Sequence, residues 1–505
     1  MPSDAPSIDD DRDAVDEGLL SPVTIGFDAE VTDAAVLRAL VAAEAALTRA
    51  WGAVGVAPDA AVASVSDALG WAGPGQGCDT SWLDRHAVIA ASVAGGNPVI
   101  PLVGRVKDRV SVDARTWVHR GATSQDILDS ALMLVARRAG LDLLTTLRAT
   151  EAVLAGFAVV HRDVVVAART LTQHAVPTTV GARAAGWLRG LTRARVRLAA
   201  AVAALPAQLG GAGGTLASFV EIGGSDAATA LPAAYAAELG LAAPDAPWHV
   251  TRWPVTELGD ALAQTIDAVG KIAADIATLS RTEIGELAEG TGGGSSAMPQ
   301  KQNPAASVLI RSAALRAPNL AATLHLAAAF AVDERPDGAW HAEWPTLREL
   351  LRLALGATGT AASLIEGLRV DEAAAARDLA LTGGLIVAER LSIVLTPVIG
   401  KDEVSRIVAA AGRGGDLVDL VRDALEAAVD RAPGAPHPAD DVEALLDPAG
   451  YTGLAGALVG RAVADAPADA ARDLFVTTEA EAVGIQAEDG ATPGTGPDPR
   501  SQPEF

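Results

Sequence analysis

Apolar residues recur at helical spacing along most of this chain. From Asp33 onward, Val36, Leu40 and Leu47 stand four and seven positions apart, and Asp33 is placed to cap the start. The stretch GNPVIPLVGRVKDRV, residues 96–110, opens with a breaker cluster and resumes as helix. These elements predict a small N-terminal helical domain over 21–115. A longer pattern follows: SQDILDSALMLVARRAGLDLLTTLRATEAVLAGFAVVHRD contains no proline, and further helices are predicted at 178–204, 253–288, 304–332 and 342–368. Helices of this length predict an elongated central bundle over 116–368, with Pro318 bending the fourth of them. Beyond 369 the pattern shortens, predicting a C-terminal helical domain to 483. The alternating β-branched and aromatic signal of strands is weak throughout, so the expected fold class is all-α, with smaller helical domains at each end of the bundle. Residues 1–20 are acidic, and 484–505, ending GIQAEDGATPGTGPDPRSQPEF, are rich in proline and glycine; both are expected to be disordered tails.

Composition narrows the function classes. The chain has 505 residues, half of them hydrophobic but only 3% aromatic, and a formal net charge of −24. Its length suits two or three domains. Its charge argues against nucleic acid, whose phosphates it would repel, while leaving room for a locally basic pocket that holds a small anion. No run approaches the roughly 18 apolar residues of a membrane span, and the N-terminus has neither the basic start nor the apolar run of a signal peptide. A single cysteine, Cys78, excludes an intrachain disulfide and suits the reducing cytoplasm.

Against this background four polar segments stand out. WVHRGATSQDILDS (117–130) places Gly121 at a turn and Thr123 or Ser124 at a helix start, where free amides also favour an anion; read by itself it is equally an ordinary cap. ARTLTQHAVPTTVG (168–181) crowds Thr170, Gln173 and His174 before Pro177, and His174 suits proton transfer near neutral pH, although a lone histidine is more often structural. GTGGGSSAMPQKQNP (290–304) combines four glycines with Ser295, Ser296, Lys301 and Asn303, a composition shared by ligand-embracing segments and slack loops. VDERPDGAWHAEWPTLREL (332–350) sets Arg335, His341 and Glu343 among two tryptophans, where salt-bridging and stem packing are the plain alternatives. His119, His161, His174 and His341 are scattered, so no metal site is expected. No nucleotide fingerprint, Walker loop or Gly-x-Ser-x-Gly elbow is present, so no cofactor is expected.

The blocks GATSQD, RTLTQHAVPTT and GSSAMPQKQNP, in this order, resemble the three signature blocks of the fumarase/aspartase superfamily; the third matches at every fixed position from 294 to 304. GNPVIPLV, HRGATSQDILDSALML, QLGGAGGTLASF and GAWHAEWPTLREL are further similar to its 3-carboxy-cis,cis-muconate cycloisomerases, and the likeness covers roughly residues 20–460. The resemblance implies the fumarase/aspartase fold and a homotetramer whose active sites draw segments from three subunits. It also implies cofactor-free lactonisation of a small tricarboxylate in protocatechuate breakdown. Ser295 matches the superfamily's catalytic serine, with His174 an equal candidate for the proton. Lys301, Asn303 and Arg335 would hold carboxylates; Arg120, Thr123, Ser124, Thr170, Gln173 and Ser296 would supply further donors. Three positions depart from the pattern. Leu171 stands where purine-pathway lyases carry histidine; Asp333 replaces the histidine, and Gln302 the basic residue, usual in the cycloisomerases. The alternatives are another superfamily lyase that releases fumarate, such as an adenylosuccinate-type enzyme, and a noncatalytic helical scaffold.

Overall fold

The computed structural model describes residues 18–290, 293, 298, 301–431 and 441–466. The expected tails before residue 18 and after 483, and the candidates Ser295 and Ser296, lie outside the described residues. In chain order the elements are α1 (Asp33–Ala53), α2 (Asp59–Leu69), α3 (Arg85–Gly95), α4 (Val99–Arg109), α5 (Ser124–Val160), β1 (Val165–Thr170), β2 (Gln173–Thr179), α6 (Val180–Ala203), α7 (Ala217–Leu239), α8 (Trp253–Leu279), β3 (Leu287–Ala288), α9 (Ala305–Ala329), α10 (Gly338–Glu366), β4 (Arg369–Val370), α11 (Glu372–Ala380), α12 (Ala388–Ile399), α13 (Lys401–Ala411), α14 (Leu417–Arg431) and α15 (Val442–Leu446). A last helical stretch spans 455–466. The fold is all-α, as the periodicity predicts, with two small sheets the strand signal did not reveal.

The chain forms two compact units. Among the described residues, unit 1 comprises 18–36, 135–205 and those from 249 onward, and unit 2 comprises 37–134 and 206–248. The chain passes from unit 2 into unit 1 inside α5, between Leu134 and Val135. By length and composition α5 alone among the described helices could cross a membrane. Its first two turns, however, bury Asp126, Asp129 and Ser130 inside the protein.

In unit 1, α8 packs against α6, α9 and α10. Ala, Leu and Ile on its inward face are buried, and a β-carbon at Gly259 would stand 2.6 Å from Leu324, so glycine lets α9 approach closely. α9 runs through Pro318 as one helix. The helix expected over 253–288 ends at Leu279; Gly285 takes φ 70°, and the chain then straightens into β3. α10 begins at Gly338, four residues before the predicted start, with Pro345 inside it. The shorter helices α12 to α15 close their own apolar cluster around Leu391, Leu395, Val404, Ile407 and Val421. β1 and β2 form an antiparallel hairpin in which Ala167 faces Pro177 and Arg169 faces His174, with an irregularity between Ala167 and Arg169. The β-branched run from Val164 to Val166 favours this pairing, and a two-stranded sheet has the free edges that tolerate Pro177. β3 pairs with β4.

Candidate active site

Unit 2 presents the segment 117–130 as a tightly tied turn. Gly121 takes φ 82°, the left-handed turn expected of it, and His119 takes φ 57°, unusual for a residue with a side chain. Thr48 Oγ1 donates to the Trp117 carbonyl at 3.0 Å and Trp51 Nε1 to the Arg120 carbonyl at 3.1 Å. Arg120 lies over the Trp117 ring, 4.9 Å from its centroid, and donates to the Thr116 carbonyl, so its guanidinium is engaged locally. Thr123 and Ser124 are half-buried at the start of α5. The fully buried Asp126 reaches back to the Thr123 amide at 2.9 Å, as the third residue of a capping box does. Its carboxylate also accepts the amides of Gly210 at 2.8 Å and Gly211 at 3.0 Å, while Ser130 Oγ and Gln208 exchange backbone bonds. The quoted segments GATSQD and QLGGAGGTLASF are therefore one structural unit.

His119, one of the scattered histidines, has a buried partner that its sequence neighbourhood does not reveal. Its Nδ1 meets Glu44 Oε1 at 2.7 Å, with the Glu44 side chain wholly buried. Burial by itself would push the imidazole down, but the Glu44 carboxylate, with help from Asp126, outweighs it and raises His119 above the usual histidine range. Glu44 lies 75 positions away on α1, and nothing in the local sequence marks the pair.

Unit 1 carries the other segments. Thr170, Gln173 and His174 sit at the head of the β1–β2 hairpin, where Leu171 and Thr172 form the tip with φ of 48° and 71°. Leu171, 95% exposed, projects from it. Behind the hairpin, Arg169 forks onto Glu286, with Nη2–Oε1 at 2.7 Å and Nη1–Oε2 at 3.1 Å, and reaches Asp378 at 3.3 Å. Arg183, at the start of α6, stands 3.5 Å from Glu286 and donates to the Ala167 carbonyl; Arg377 bridges Asp378 and the Ile284 carbonyl. Burial pushes Arg183 below the usual arginine value, with Glu286 acting against it. Glu286 and Asp378 are both buried.

The segment 290–304 is held at both ends. Glu289 accepts the Ala306 and Ser307 amides and the Ser307 hydroxyl at the start of α9, satisfying amides that a helix N-terminus leaves open. Gly293 and Asn303 exchange two backbone hydrogen bonds of 2.9 and 3.0 Å, and the Lys301 amide donates to the Met298 carbonyl. Arg369 holds the Gly290 carbonyl at 3.1 Å. A β-carbon at Gly290 would lie 2.5 Å from the Gly367 carbonyl oxygen, so no other residue fits there without a backbone shift. Lys301 is exposed, and Asn303 is half-buried.

Arg335 is half-buried in the connection between α9 and α10, two residues after Asp333, which has φ 55°. His341 packs on Trp344 with ring centroids 4.5 Å apart and bonds the Asp337 carbonyl. Glu343 is buried in an ion pair with Arg252 at 2.6 Å, so it serves the frame of unit 1. Within unit 1 one charge network on Glu286 and Asp378 holds the strand beside His174, and the chain runs on from Glu286 within four residues to Gly290, where the segment bearing Lys301 and Asn303 begins. Arg120, Thr123 and Ser124 belong to unit 2. Among the described residues no three His, Cys, Asp or Glu side chains gather as a metal ion would require.

An all-helical frame that displays a histidine hairpin, a glycine segment with a lysine and an amide, and a capped Thr-Ser turn defines an enzyme of the fumarase/aspartase superfamily. The chain belongs to the lyase family, whose family model matches residues 26–318. It is 47% identical over 465 residues to the nitrosuccinate lyase of Streptomyces davaonensis, covering 89% of this chain and 95% of that protein. It is 41% identical to the 3-carboxy-cis,cis-muconate cycloisomerase of Pseudomonas aeruginosa, covering 86% and 93%. Among solved structures, the 3-carboxy-cis,cis-muconate lactonizing enzyme of Pseudomonas putida superposes with a TM-score of 0.79 at 33% identity, covering 90% of this chain and all of that one.

Proposed function

We propose that this protein eliminates a leaving group from a succinate-type dicarboxylate, with nitrosuccinate as the first candidate substrate and fumarate and nitrite as products. The observation that carries the reading is the 47% identity to nitrosuccinate lyase along nearly the whole of both chains. Charge supports it. Asp333 and Gln302 stand where the tricarboxylate-closing enzymes usually carry basic groups. A pocket with less positive potential suits a substrate with two carboxylates and a neutral nitro group better than one with three carboxylates.

In this reaction a base removes a proton from the methylene carbon, and the developing charge spreads onto the adjacent carboxylate. The C–N bond then breaks, and its electron pair leaves with nitrite. Ser295 is the proposed base, as the superfamily's serine, and His174 the proposed proton partner. Lys301 and Asn303 hold the carboxylate on which charge develops, where a fixed cation and amide act most strongly. Arg335 forks onto the second carboxylate. Arg120, Thr123, Ser124, Thr170, Gln173 and Ser296 complete the donor set. The second reading, lactonisation of 3-carboxy-cis,cis-muconate, is favoured by the likeness to the Pseudomonas enzymes. It uses the same donors but breaks no C–N bond.

The proposed assembly is a homotetramer with shared sites. α9 supports it: Val308, Leu315 and Leu326, with Phe330 at the helix's C-terminal cap, recur at spacings that keep them on one face, and each is more than half exposed in the single chain.

Purified full-length protein given each substrate separates the two readings. Nitrite and fumarate released in equal amounts from nitrosuccinate are expected. Loss of the carboxymuconate ultraviolet absorbance, with no nitrite from nitrosuccinate, would establish the second reading instead. Light scattering should find four copies, and a fully active monomer would remove the shared-site assembly.

A further inference from the structure

We propose that Glu286 is a positioning residue of the reaction, acting through Arg169 to hold the His174 hairpin in register with the base of the 290–304 segment. The proposal rests on the reading that these two segments carry the chemistry. Arg169 and His174 are direct cross-strand partners. Side chains so paired lie on one face of the hairpin with β-carbons about 5 Å apart. Whatever fixes the Arg169 guanidinium therefore fixes the strand beside His174. What fixes it is the two-point fork on the Glu286 carboxylate, with Asp378 at its flank.

Glu286 reaches the other segment through its own backbone. Its carbonyl accepts the Asp371 amide where β3 meets β4; Glu289, three residues on, caps α9; and Gly290 follows at once. The hairpin is thus referenced to the Glu286 side chain, 1% exposed, and the glycine segment to the backbone of the same residue. A buried ion network of this kind adds little net stability, because desolvation offsets attraction, but its forked geometry fixes distances narrowly. Arg183 reinforces the link by touching both Glu286 and the Ala167 carbonyl of β1.

The test uses the full chain with Glu286→Gln, which keeps the shape and removes the charge, Arg169→Lys, which keeps the charge and removes the fork, and the double variant. Turnover of nitrosuccinate and of 3-carboxy-cis,cis-muconate is measured beside hydrogen exchange of the peptides 165–179 and 284–290. Each single variant should lower kcat about tenfold or more, because small misplacements of reacting groups are costly, while KM moves less than about threefold. The double variant should be no worse than the poorer single one, since both cut the same link. Exchange should rise in both peptides in every variant. Wild-type kcat in Glu286→Gln, additive losses, or faster exchange in one peptide alone would overturn the proposal. If the unaltered protein turns over neither substrate, the functional reading fails, and the paired exchange response alone decides whether Glu286 links the two segments.

Discussion

The two units secure their polar segments by opposite devices. In unit 2 one carboxylate, Asp126, accepts three backbone amides from two stretches of chain, and the nearby cation is a histidine, His119, on Glu44. In unit 1 two carboxylates, Glu286 and Asp378, receive three arginines. A carboxylate on amides dictates backbone shape directly and leaves nothing to rotate. An arginine network links side chains across longer gaps and keeps its charge at any physiological pH. The comparison predicts that unit 2 is brittle and sensitive to pH, while unit 1 tolerates pH but is exacting about geometry.

The largest test of that contrast is Asp126→Ala. It strands three amides, two of them in a fully buried segment, and should cost about 3 to 5 kcal/mol in urea unfolding of the full chain. A loss under about 1 kcal/mol would break the comparison. His174→Ala should leave the fold intact, because the residue heads an exposed hairpin, yet lower kcat about 100-fold, or ~2.7 kcal/mol in the barrier, with KM little changed. Unchanged steady-state kinetics would remove His174 from the chemistry.

Gly290→Ala sharpens the claim about geometry. The added β-carbon would meet the Gly367 carbonyl oxygen at 2.5 Å and must push the start of the 290–304 segment aside. A cost of about 1 to 3 kcal/mol in thermal unfolding, with a fall in kcat, is expected. Wild-type values for both would show that the close approach is easily relaxed.

The smallest effect is the dependence on pH. His119 is raised in the folded protein, so its contribution is complete below the unfolded value of 6.5 and is lost as pH rises through the folded value. The urea midpoint of the unaltered protein should therefore exceed that of His119→Gln most at low pH, and the gap should close as pH rises through and above that window. A gap that widens with pH would contradict the Glu44 pairing.

Much of this was legible in the residues. The long helices follow from alanine and leucine at helical spacing; α6, α9 and α10 begin and end within a few residues of the predicted bounds. The third signature block announced the family because glycines, serines, lysine and asparagine have no use in a helical core. The hairpin was not legible as strands, because its six- and seven-residue runs mix Arg, Thr, Gln and His with the apolar positions, and no alternation survives. The sequence extends α8 too far because RTEIGEL still looks helical; in the structure the helix stops at Leu279 with Ser280 as its cap, and Leu287–Ala288 pairs with Arg369–Val370 instead.

Sequence alone determined the helical frame and the chemical character of the polar segments, since both depend on neighbours within a few positions. Which acid holds which base was decided by the tertiary structure: Arg169 meets Glu286 across 117 positions and Asp378 across 209, and His119 meets Glu44 across 75. The physical reason is that a buried charge takes whichever opposite charge the packed helices bring within about 3 Å, and that choice leaves no local trace in the chain.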